Sequence, residues 1–241
     1  MNEPEGSWLS NSKVSRLIFL DCTHRILTPK GLTIIVNKLD FIYFDLGNVL
    51  LHFSRERQFQ QMAQVLGITA TEVAELVEQH DLMHRCETGK LTPREAYAML
   101  CEETNSSCEF GNLYLASSDI FQINLPMLPV ITQLVRHGYQ LGILSNTSEN
   151  HWSYCLDHFA ILRDCFRINI LSYEVGVMKP GKEIYAAAVE AAGVPPENIF
   201  YTDDLQPNVD GALNCKIDAV LYTDTPSLVE SLKQRGARLA L

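Results

Sequence analysis

Residues 41–53 read FIYFDLGNVLLHF, and this stretch decides the fold. Four apolar or aromatic residues precede Asp45, and Gly47 follows two positions after the acid. A short apolar run bounded by a turn signal is typical of a buried strand in a parallel sheet. The stretch therefore predicts a strand over 41–45 that carries a carboxylate to one edge of the sheet.

The chain beyond residue 138 alternates between short apolar runs and helical patterns. The runs YQLGILSN, FRINILSY, NIFYTDD and DAVLYTD predict strands, and the segments 149–158, 180–192, 206–214 and 226–235 predict helices. Alternation of this kind indicates right-handed crossovers between parallel strands, with helices on both faces of the sheet. The predicted fold class is therefore α/β.

A run of helical patterns follows the first strand without any strand among them. The stretches are RERQFQQMAQVLG, TATEVAELVEQH, TPREAYAMLCEE and EFGNLYLASSDIF, and two of them open with a capping box. We expect a helical lid over residues 55–122, inserted into a core formed by 40–54 and 123–241. Residues 1–39 are predicted to be an N-terminal extension, either poorly ordered or contributing a leading strand at LTIIVN.

Several of the predicted strands end in a charged or hydroxyl-bearing residue, or lead to one shortly afterwards. These residues are Asp45, Ser145 to Thr147, Lys179, and the doublet Asp203-Asp204. Parallel strands have their carboxyl ends along one edge of the sheet, and ligands bind in the crevice there. We therefore expect carboxylates, hydroxyl groups and an ammonium group to converge at one rim.

This set of groups suits the chemistry of a phosphate ester. Three carboxylates at one rim require a cation, since like charges a few ångströms apart raise one another's pKa, and Mg²⁺ is the usual oxygen-ligated cation beside a phosphate. Lys179 and the Ser145 hydroxyl suit the remaining phosphate oxygens. Asp45 can attack phosphorus to form an acyl phosphate that water later cleaves. The predicted partner is a small phosphorylated metabolite.

The segments FDLGNVL, LSNT, MKPGKEIY and YTDD resemble, in order and spacing, the four motifs of the haloacid dehalogenase-like (HAD) hydrolase superfamily. The resemblance extends over about residues 41–235, and the predicted helical insertion lies where the C1-type cap of that family lies. It implies a Rossmann-like core with a mobile cap. The DLGNV form of the first motif looks like that of a branch containing sugar-phosphate phosphatases.

The resemblance also implies which residues carry out the reaction. Asp45 is the implied nucleophile, and Ser145 and Lys179 are implied to anchor the phosphate and the nucleophile. Asn146 directly follows Ser145. We expect Asn146 to contact phosphate or substrate, and the alternative is a plain turn residue.

The implied Mg²⁺ site uses oxygen ligands from the first and fourth motifs. Its ligands are Asp45, the backbone carbonyl oxygen of Gly47 and the motif-four acids. Counting back from Val209, the apolar helix residue, makes Asp204 the principal ligand and Asp203 the secondary acid. A slip of one residue between these two acids stays open.

Most phosphatases of this family carry a second Asp two residues after the nucleophile, where this chain has Gly47. That Asp protonates the leaving group, a contribution of about 10²–10⁴-fold. Three explanations stay open: a good leaving group such as a sugar 1-phosphate or an acyl phosphate, a proton from His52 or a cap residue, or a protein that binds a phosphorylated ligand with little turnover. The family's dehalogenases also lack this Asp, but they need no metal, so Asp203 and Asp204 argue against that chemistry.

Residues 86–97, CETGKLTPREAY, resemble the turn E-x-G-x-(I/L)-(S/T) of capped family members, which leans over the active site. Glu87 and Lys90 are therefore candidates for substrate contact. The alternative is a capped helix start with a glycine turn. Asn208 is expected either to brace the metal site or to cap the helix that follows.

The composition is that of an ordinary globular protein, with 46% apolar and 20% charged residues. A net charge of −10, with acids spread along the chain, argues against a nucleic-acid partner, which would need a clustered basic face. No apolar run approaches a membrane span of about 18 residues, and LIFL is too short for a signal-peptide core of about 7–15 residues. Seven cysteines without a C-x-x-C pair predict reduced thiols in a cytoplasmic protein. The sequence leaves the oligomeric state open.

Overall fold

The structure of the protein is a computed structural model that describes residues 25–27, 33–35 and 39–241. The chain divides into two units, Met1–Asn37 and Lys38–Leu241. In the first unit, strand β1 (Arg25–Leu27) pairs antiparallel with β2 (Thr33–Ile35). Strand β2 lies within the predicted strand LTIIVN. The poorly ordered extension predicted for 1–39 otherwise lies outside the described residues.

The second unit begins with two strands and five helices. In chain order they are β3 (Phe41–Phe44), β4 (Leu51–Phe53), α1 (Arg55–Leu66), α2 (Ala70–Gln79), α3 (Leu82–Glu87), α4 (Pro93–Thr104) and α5 (Phe110–Ser118). Helices α1, α2 and α4 each begin or end at a predicted signal. Thr69 forms a capping box with Glu72 at the start of α2, and Thr92 begins α4 in the same way. Gly67 ends α1 in a left-handed conformation.

The rest of the second unit alternates between strands and helices. Its elements are β5 (Phe121–Ile123), α6 (Met127–Arg136), β6 (Gln140–Ser145), α7 (Glu149–His158), α8 (Ala160–Cys165), β7 (Ile168–Leu171), α9 (Ser172–Val175), α10 (Lys182–Ala192), a 3₁₀ turn (Pro196–Asn198), β8 (Ile199–Asp203), α11 (Gln206–Asn214), β9 (Asp218–Leu221) and α12 (Thr225–Gln234). The predicted strands and helices of this part are present, with ends shifted by a few residues. No helix in the described part of the chain is long and apolar enough to cross a membrane.

Five parallel strands form the central sheet in the spatial order β7-β6-β3-β8-β9. Strand β3 therefore lies at the centre, between β6 and β8. Ile42 and Phe44 pack on one face with α6, α7, α8 and α12, because alternate residues of a strand face opposite sides. Phe41 and Tyr43 pack on the other face with α10 and α11. The predicted α/β fold with a Rossmann-like parallel sheet is confirmed.

Helices α1 to α5 enclose a hydrophobic cluster of their own, which includes Met62, Val73, Leu82, Leu100 and Leu113. The two segments that connect these helices to the core lie next to each other, because β4 pairs antiparallel with β5. The sequence patterns do not predict these two short strands. The inserted helical cap of the predicted fold class is confirmed, while its C1 type and its limits at 55 and 122 stay predictions.

Candidate active site

The carboxyl ends of neighbouring strands bring the predicted polar residues together. Strand β3 pairs in parallel with both β6 and β8, so Asp45 directly follows the central strand while Ser145 and Asp203 end its two neighbours. These strand ends open onto a cavity of about 310 Å³. The cavity is lined by six of the predicted site residues, namely Asp45, Gly47, Ser145, Asn146, Lys179 and Asp204.

Lys179 is the centre of this arrangement. Its Nζ atom lies 2.9 Å from Asp45 Oδ1 and 2.7 Å from Asp203 Oδ2. It also lies 2.9 Å from the Leu144 carbonyl oxygen and 2.9 Å from the Tyr201 hydroxyl oxygen. The Lys179 side chain is only 1% exposed, so four protein oxygens replace water around the ammonium group. These contacts fix the side chain between two carboxylates.

Burial and charge act in opposite directions on this cluster. Burial lowers the pKa of Lys179, but the charges of Asp45 and Asp203 raise it, and the net pKa lies above the ordinary value. Burial raises the pKa of Asp45, the charge of Lys179 lowers it, and the charge of Asp203 raises it. The net pKa of Asp45 is about 7. Lys179 therefore stays protonated, and a further cation beside Asp45 would favour the ionised carboxylate.

Asp203 is completely buried and accepts hydrogen bonds on both of its carboxylate oxygens. Oδ2 accepts from Lys179 and from the Tyr201 hydroxyl, and Oδ1 accepts from the Leu205 backbone N–H at 2.8 Å. The Asn208 side-chain nitrogen lies 3.0 and 3.1 Å from the two oxygens. Of the two roles expected for Asn208, the structure shows a bracing contact. These donors leave Asp203 little capacity to bind a cation.

Tyr201 is a member of this network that the sequence analysis missed. It lies two residues before Asp203 in β8, on the same face of the strand. Burial, followed by the charges of Asp45 and Asp203, raises the pKa of Tyr201 well above its ordinary value, so the hydroxyl stays protonated and donates. A tyrosine at this spacing before an acid at a strand end is the signal that could have identified it.

Asp204 is the motif-four carboxylate that remains available. It is partly exposed and lines the cavity. Its Oδ2 atom accepts a hydrogen bond from Asn48 Nδ2 at 2.9 Å, and within the described residues Oδ1 accepts none. Asn48, which the sequence analysis did not select, has a φ of 55°, a left-handed conformation that asparagine adopts more readily than most residues.

Asp45 keeps one carboxylate oxygen free. Its Oδ1 atom accepts from the Leu46 backbone N–H at 2.7 Å and from Lys179, whereas Oδ2 accepts no hydrogen bond among the residues described. Carboxylate oxygens of Asp45, Asp203 and Asp204 all lie within 4.8 Å of one another. Hard oxygen ligands at this spacing suit a divalent cation, and the free oxygens belong to Asp45 and Asp204.

Ser145 and Asn146, at the end of β6, differ in what they can offer a ligand. The only hydrogen bond of Ser145 Oγ within the described residues is a long one, 3.4 Å, to the Asn146 carbonyl oxygen, so the hydroxyl can donate elsewhere. The Asn146 side chain bonds instead to the backbone of Lys179, donating to its carbonyl oxygen at 3.0 Å and accepting from its N–H at 2.7 Å. The amide expected to contact phosphate is therefore committed to positioning Lys179.

Gly47, which stands where a second acid was considered, lies next to the aromatic ring of Phe53. A Cβ atom added at Gly47 would lie 3.0 Å from Cε1 of Phe53, closer than an ordinary van der Waals contact. Phe53 belongs to β4 and lines the same cavity. A side chain at position 47 would require the Phe53 ring to shift, so the local packing suits glycine.

Of Glu87, Lys90 and His52, which were considered as substrate contacts or substitute acids, only Glu87 lines the cavity with Asp45. Glu87 is the last residue of α3. Lys90 is exposed and does not contribute to the cavity wall. His52 is exposed on β4 and borders a neighbouring recess with Asp204 instead.

Several other residues of the cavity wall were missed from the sequence, and four of these lie on helices. They are Arg55, Gln58, Met83 and His151. The first three lie on cap helices, and their approach to the strand ends depends on tertiary packing that a single sequence does not reveal. His151 lies on α7, and its Nε2 atom is 3.1 Å from the Ser117 carbonyl oxygen. Burial lowers the pKa of this histidine to about 4, so its ring is neutral near neutral pH.

Comparison with known proteins gives one family and several relatives. Residues 39–216 match the family model of the haloacid dehalogenase-like hydrolases. The D-ribitol-5-phosphate phosphatase of Bacteroides thetaiotaomicron is 26% identical over 176 residues, which cover 70% of this chain and 84% of the relative. The pyrimidine 5'-nucleotidase YjjG of Escherichia coli is 26% identical over 191 residues, which cover 73% of this chain and 83% of the relative.

Solved structures have the same fold. A HAD family enzyme from Bacteroides thetaiotaomicron, in complex with magnesium and inorganic phosphate, has a TM-score of 0.69 at 25% identity. That match covers 76% of this chain and 93% of the other. A 2-haloacid dehalogenase from Pseudomonas syringae has a TM-score of 0.61 at 15% identity, over 81% and 99% of the two chains, and shows likeness of fold alone.

The ion-pair cluster predicts how the stability of a Lys179→Met variant depends on pH. We expect the free energy of unfolding to fall by about 3–5 kcal/mol near pH 8, because the buried carboxylates lose their counter-charge. The folded-state pKa of Asp45, already raised to about 7, rises further in the variant. Stability is lost as pH rises toward a raised carboxyl pKa, so the deficit should shrink near pH 5.5. Urea unfolding of the wild type and the variant at the two pH values measures this deficit in the free energy of unfolding.

Lys182→Met is the matched control, because Lys182 is exposed at the start of α10. A surface substitution of this kind is expected to change stability by less than about 0.5 kcal/mol at both pH values. A Lys179→Met variant as stable as this control, or one with a deficit independent of pH, would contradict the assigned charge balance.

Proposed function

The chain belongs to the haloacid dehalogenase-like hydrolases, as its motifs predict, and we propose that it removes phosphate from a small phosphorylated metabolite in a Mg²⁺-dependent reaction through an aspartyl phosphate on Asp45. The observation that carries this proposal is Lys179 held between Asp45 and Asp203 at the wall of the cavity. The Oδ2 atom of Asp45 accepts no hydrogen bond from the described residues and can react, and Ser145 lines the same cavity. A phosphoryl group bound there meets a nucleophile, an ammonium group and a hydroxyl donor.

The oxygen ligands at this rim fit Mg²⁺. We assign Asp45, Asp204 and the Gly47 carbonyl oxygen as its ligands, because carboxylate oxygens of Asp45 and Asp204 lie within 4.8 Å of each other and Gly47 lines the same cavity. Asp203 acts through Lys179, since its own oxygens are occupied. When bound, the cation neutralises charge on the phosphoryl group and orients that group for in-line attack.

The residues of the chain then act in two steps. Asp45 attacks phosphorus through its free oxygen, the ester bond breaks, and the alcohol departs. Lys179 holds the other carboxylate oxygen and keeps the nucleophile oriented, while Ser145 donates to a phosphoryl oxygen. Water then cleaves the acyl phosphate and releases inorganic phosphate, which restores Asp45.

The cavity and the relatives both support this substrate class. The named relatives are a ribitol phosphate phosphatase and a pyrimidine nucleotidase, which both act on small phosphorylated molecules. The cavity of about 310 Å³ is large enough for a compact leaving group. Arg55, Gln58 and Glu87 offer that group polar contacts from the cap.

A protein that binds phosphate with little turnover is the second candidate, and Gly47 is the observation that favours it. Without an acid at this position, an alkoxide leaving group would depart slowly. Dehalogenation is the least supported chemistry, because the family's dehalogenases need no metal and this rim carries Asp204 beside Asp45.

Phosphate release from a panel of sugar phosphates, nucleotides and aryl phosphates tests the proposal. We expect Mg²⁺-dependent turnover of at least one member, abolished by a chelator. Asp45→Asn should lower kcat by about 10³-fold or more, because the nucleophile is lost. Asp210→Asn, on the exposed surface of α11, is the matched control and should leave turnover unchanged.

The result of this panel separates the two candidates. A well-folded protein that binds Mg²⁺ and inorganic phosphate in a calorimeter, but hydrolyses nothing in the panel, would favour the binding protein. Turnover that survives Asp45→Asn would reject the aspartyl phosphate.

The two motif-four acids should respond differently to conversion to asparagine. For Asp204→Asn we expect normal stability and a Mg²⁺ affinity lower by about 10–100-fold, because a cation ligand is weakened. For Asp203→Asn we expect a loss of about 3–5 kcal/mol in stability, because Lys179 loses a buried partner. Thermal unfolding at increasing Mg²⁺ concentrations measures both properties without a substrate. A loss of Mg²⁺ response in Asp203→Asn alone would reverse the assignment.

A further inference from the structure

The proposed reaction requires a proton at the leaving oxygen, and the inference drawn from this requirement rests on the proposed phosphatase function. When Asp45 attacks phosphorus in line, the leaving oxygen departs on the side opposite to Asp45. The water that cleaves the acyl phosphate enters from that same side. One acid–base group there can serve both steps. Gly47 cannot be that group.

Glu87 is the one cap carboxylate among the described residues that line the cavity. The other two carboxylates of the wall are Asp45 and Asp204, which lie at the sheet edge and are assigned to nucleophilic attack and to the cation. Glu87 comes from α3, on the cap side of the cavity. A carboxylate on the cap side is suited to reach the part of the substrate that departs from phosphorus.

The Glu87 carboxylate has no structural partner. Within the part of the chain that the structure describes, it makes neither a hydrogen bond nor an ion pair, although the residue is half-buried. Two other cap glutamates have structural roles, because Glu72 and Glu95 close capping boxes. A half-buried carboxylate without a partner costs stability, which is typical of a group kept for function.

The turn that follows Glu87 is fixed against the core. Thr88 is buried, and its hydroxyl donates to a carbonyl oxygen one turn earlier in α3 at 2.7 Å. Gly89 has a φ of 67°, and a Cβ atom there would lie 2.3 Å from the carbonyl oxygen of Tyr173 in α9. Only glycine permits this approach, so the backbone beside Glu87 contacts the core segment that leads to Lys179.

We propose that Glu87 is the general acid and base that replaces the carboxylate absent at Gly47. In the first step Glu87 gives its proton to the ester oxygen as the bond to phosphorus breaks and Asp45 is phosphorylated, so the alcohol leaves as a neutral molecule. In the second step the Glu87 carboxylate takes a proton from water as the water oxygen attacks phosphorus. The bond to Asp45 breaks, inorganic phosphate and the free Asp45 carboxylate form, and Glu87 is again protonated.

The surroundings of Glu87 favour a group that starts the reaction protonated. Burial raises its pKa, the positive charges of Arg55, His84 and Lys179 lower it, and the net pKa lies above the ordinary value for glutamate. The adjacent Cys86 adds no charge, because burial raises the pKa of its thiol to about 11. Glu87 therefore keeps its proton to higher pH than an exposed glutamate would.

The histidines near the site fit this role less well. His151 lines the cavity, but with a pKa lowered to about 4 by burial it holds almost no acid form near neutral pH. Its Nε2 atom also lies 3.1 Å from the Ser117 carbonyl oxygen. His52 does not belong to the cavity wall. Glu87 is the acid that remains.

Glu87→Gln tests the proposal on two substrates with different leaving groups. 4-Nitrophenyl phosphate releases a stable phenolate that needs little protonation, whereas an alkyl phosphate releases an alkoxide that needs a proton. We expect kcat/KM to fall by about 10²–10³-fold for the best alkyl phosphate of the panel, and by less than about tenfold for the aryl phosphate.

The pH profile gives a second measurement. For the alkyl phosphate, wild-type kcat/KM should fall as pH rises through the pKa of Glu87, because the acid form is lost. That limb should be absent from the Glu87→Gln profile. A wild-type profile with no such limb, or a variant that retains it, would overturn the proposal.

Glu75→Gln, on the exposed surface of α2, is the matched control and should leave both substrates unaffected. Equal losses on the two substrates in Glu87→Gln, or no loss on the alkyl phosphate, would overturn the proposal. A wild-type protein that hydrolyses aryl but no alkyl phosphates would do the same. Loss of aryl hydrolysis in Asp45→Asn tests the phosphatase function separately, so the two failures are distinguishable.

Discussion

A buried ammonium group requires counter-charges, and Lys179 obtains them from Asp45 and Asp203. For both contacts to form, the carboxyl ends of β3 and β8 have to be neighbours, as they are in the sheet. Lys179, the Leu205 backbone N–H and the Asn208 amide together occupy both oxygens of Asp203, whereas one oxygen of Asp45 accepts no hydrogen bond from the described residues. Asp204 is then the motif-four acid with oxygen left for a cation. One ion-pair cluster therefore links the strand order to the proposed chemistry.

The core and the cap contribute different groups to this chemistry. In the proposed reaction the sheet edge supplies the nucleophile and the groups that hold it, while residue 47, the predicted place of a second acid in most phosphatases of the family, is a glycine beside the Phe53 ring. The cap supplies Glu87, a carboxylate that pairs with none of the described residues, just before a turn that Gly89 brings close to the core backbone at Tyr173. If the proton comes from the cap, proton transfer depends on the position of the cap over the substrate.

The sequence predicts the parts of this site that depend on topology. Asp45, Ser145 and the two motif-four acids lie at the ends of parallel strands, Lys179 lies in the segment beyond β7, and parallel strands end at one edge. Contacts set by side-chain packing escape prediction: the Tyr201 hydroxyl on Asp203 and the Asn146 amide on the Lys179 backbone depend on distances of a few ångströms. The choice between Asp203 and Asp204 likewise depends on which carboxylate has its donors already in place. Strands β4 and β5, three residues each, are too short for a periodic pattern.

A crystal structure of the protein with Mg²⁺ and fluoroberyllate, a mimic of a phosphoryl group, tests the central claim most directly. The account predicts beryllium bonded to the free oxygen of Asp45, the Ser145 hydroxyl on a fluorine atom, and the cation on Asp45 and Asp204. Lys179 should keep its contacts with Asp45 and Asp203. A mimic bound away from Asp45, or Asp203 turned from Lys179 toward the cation, would contradict the account.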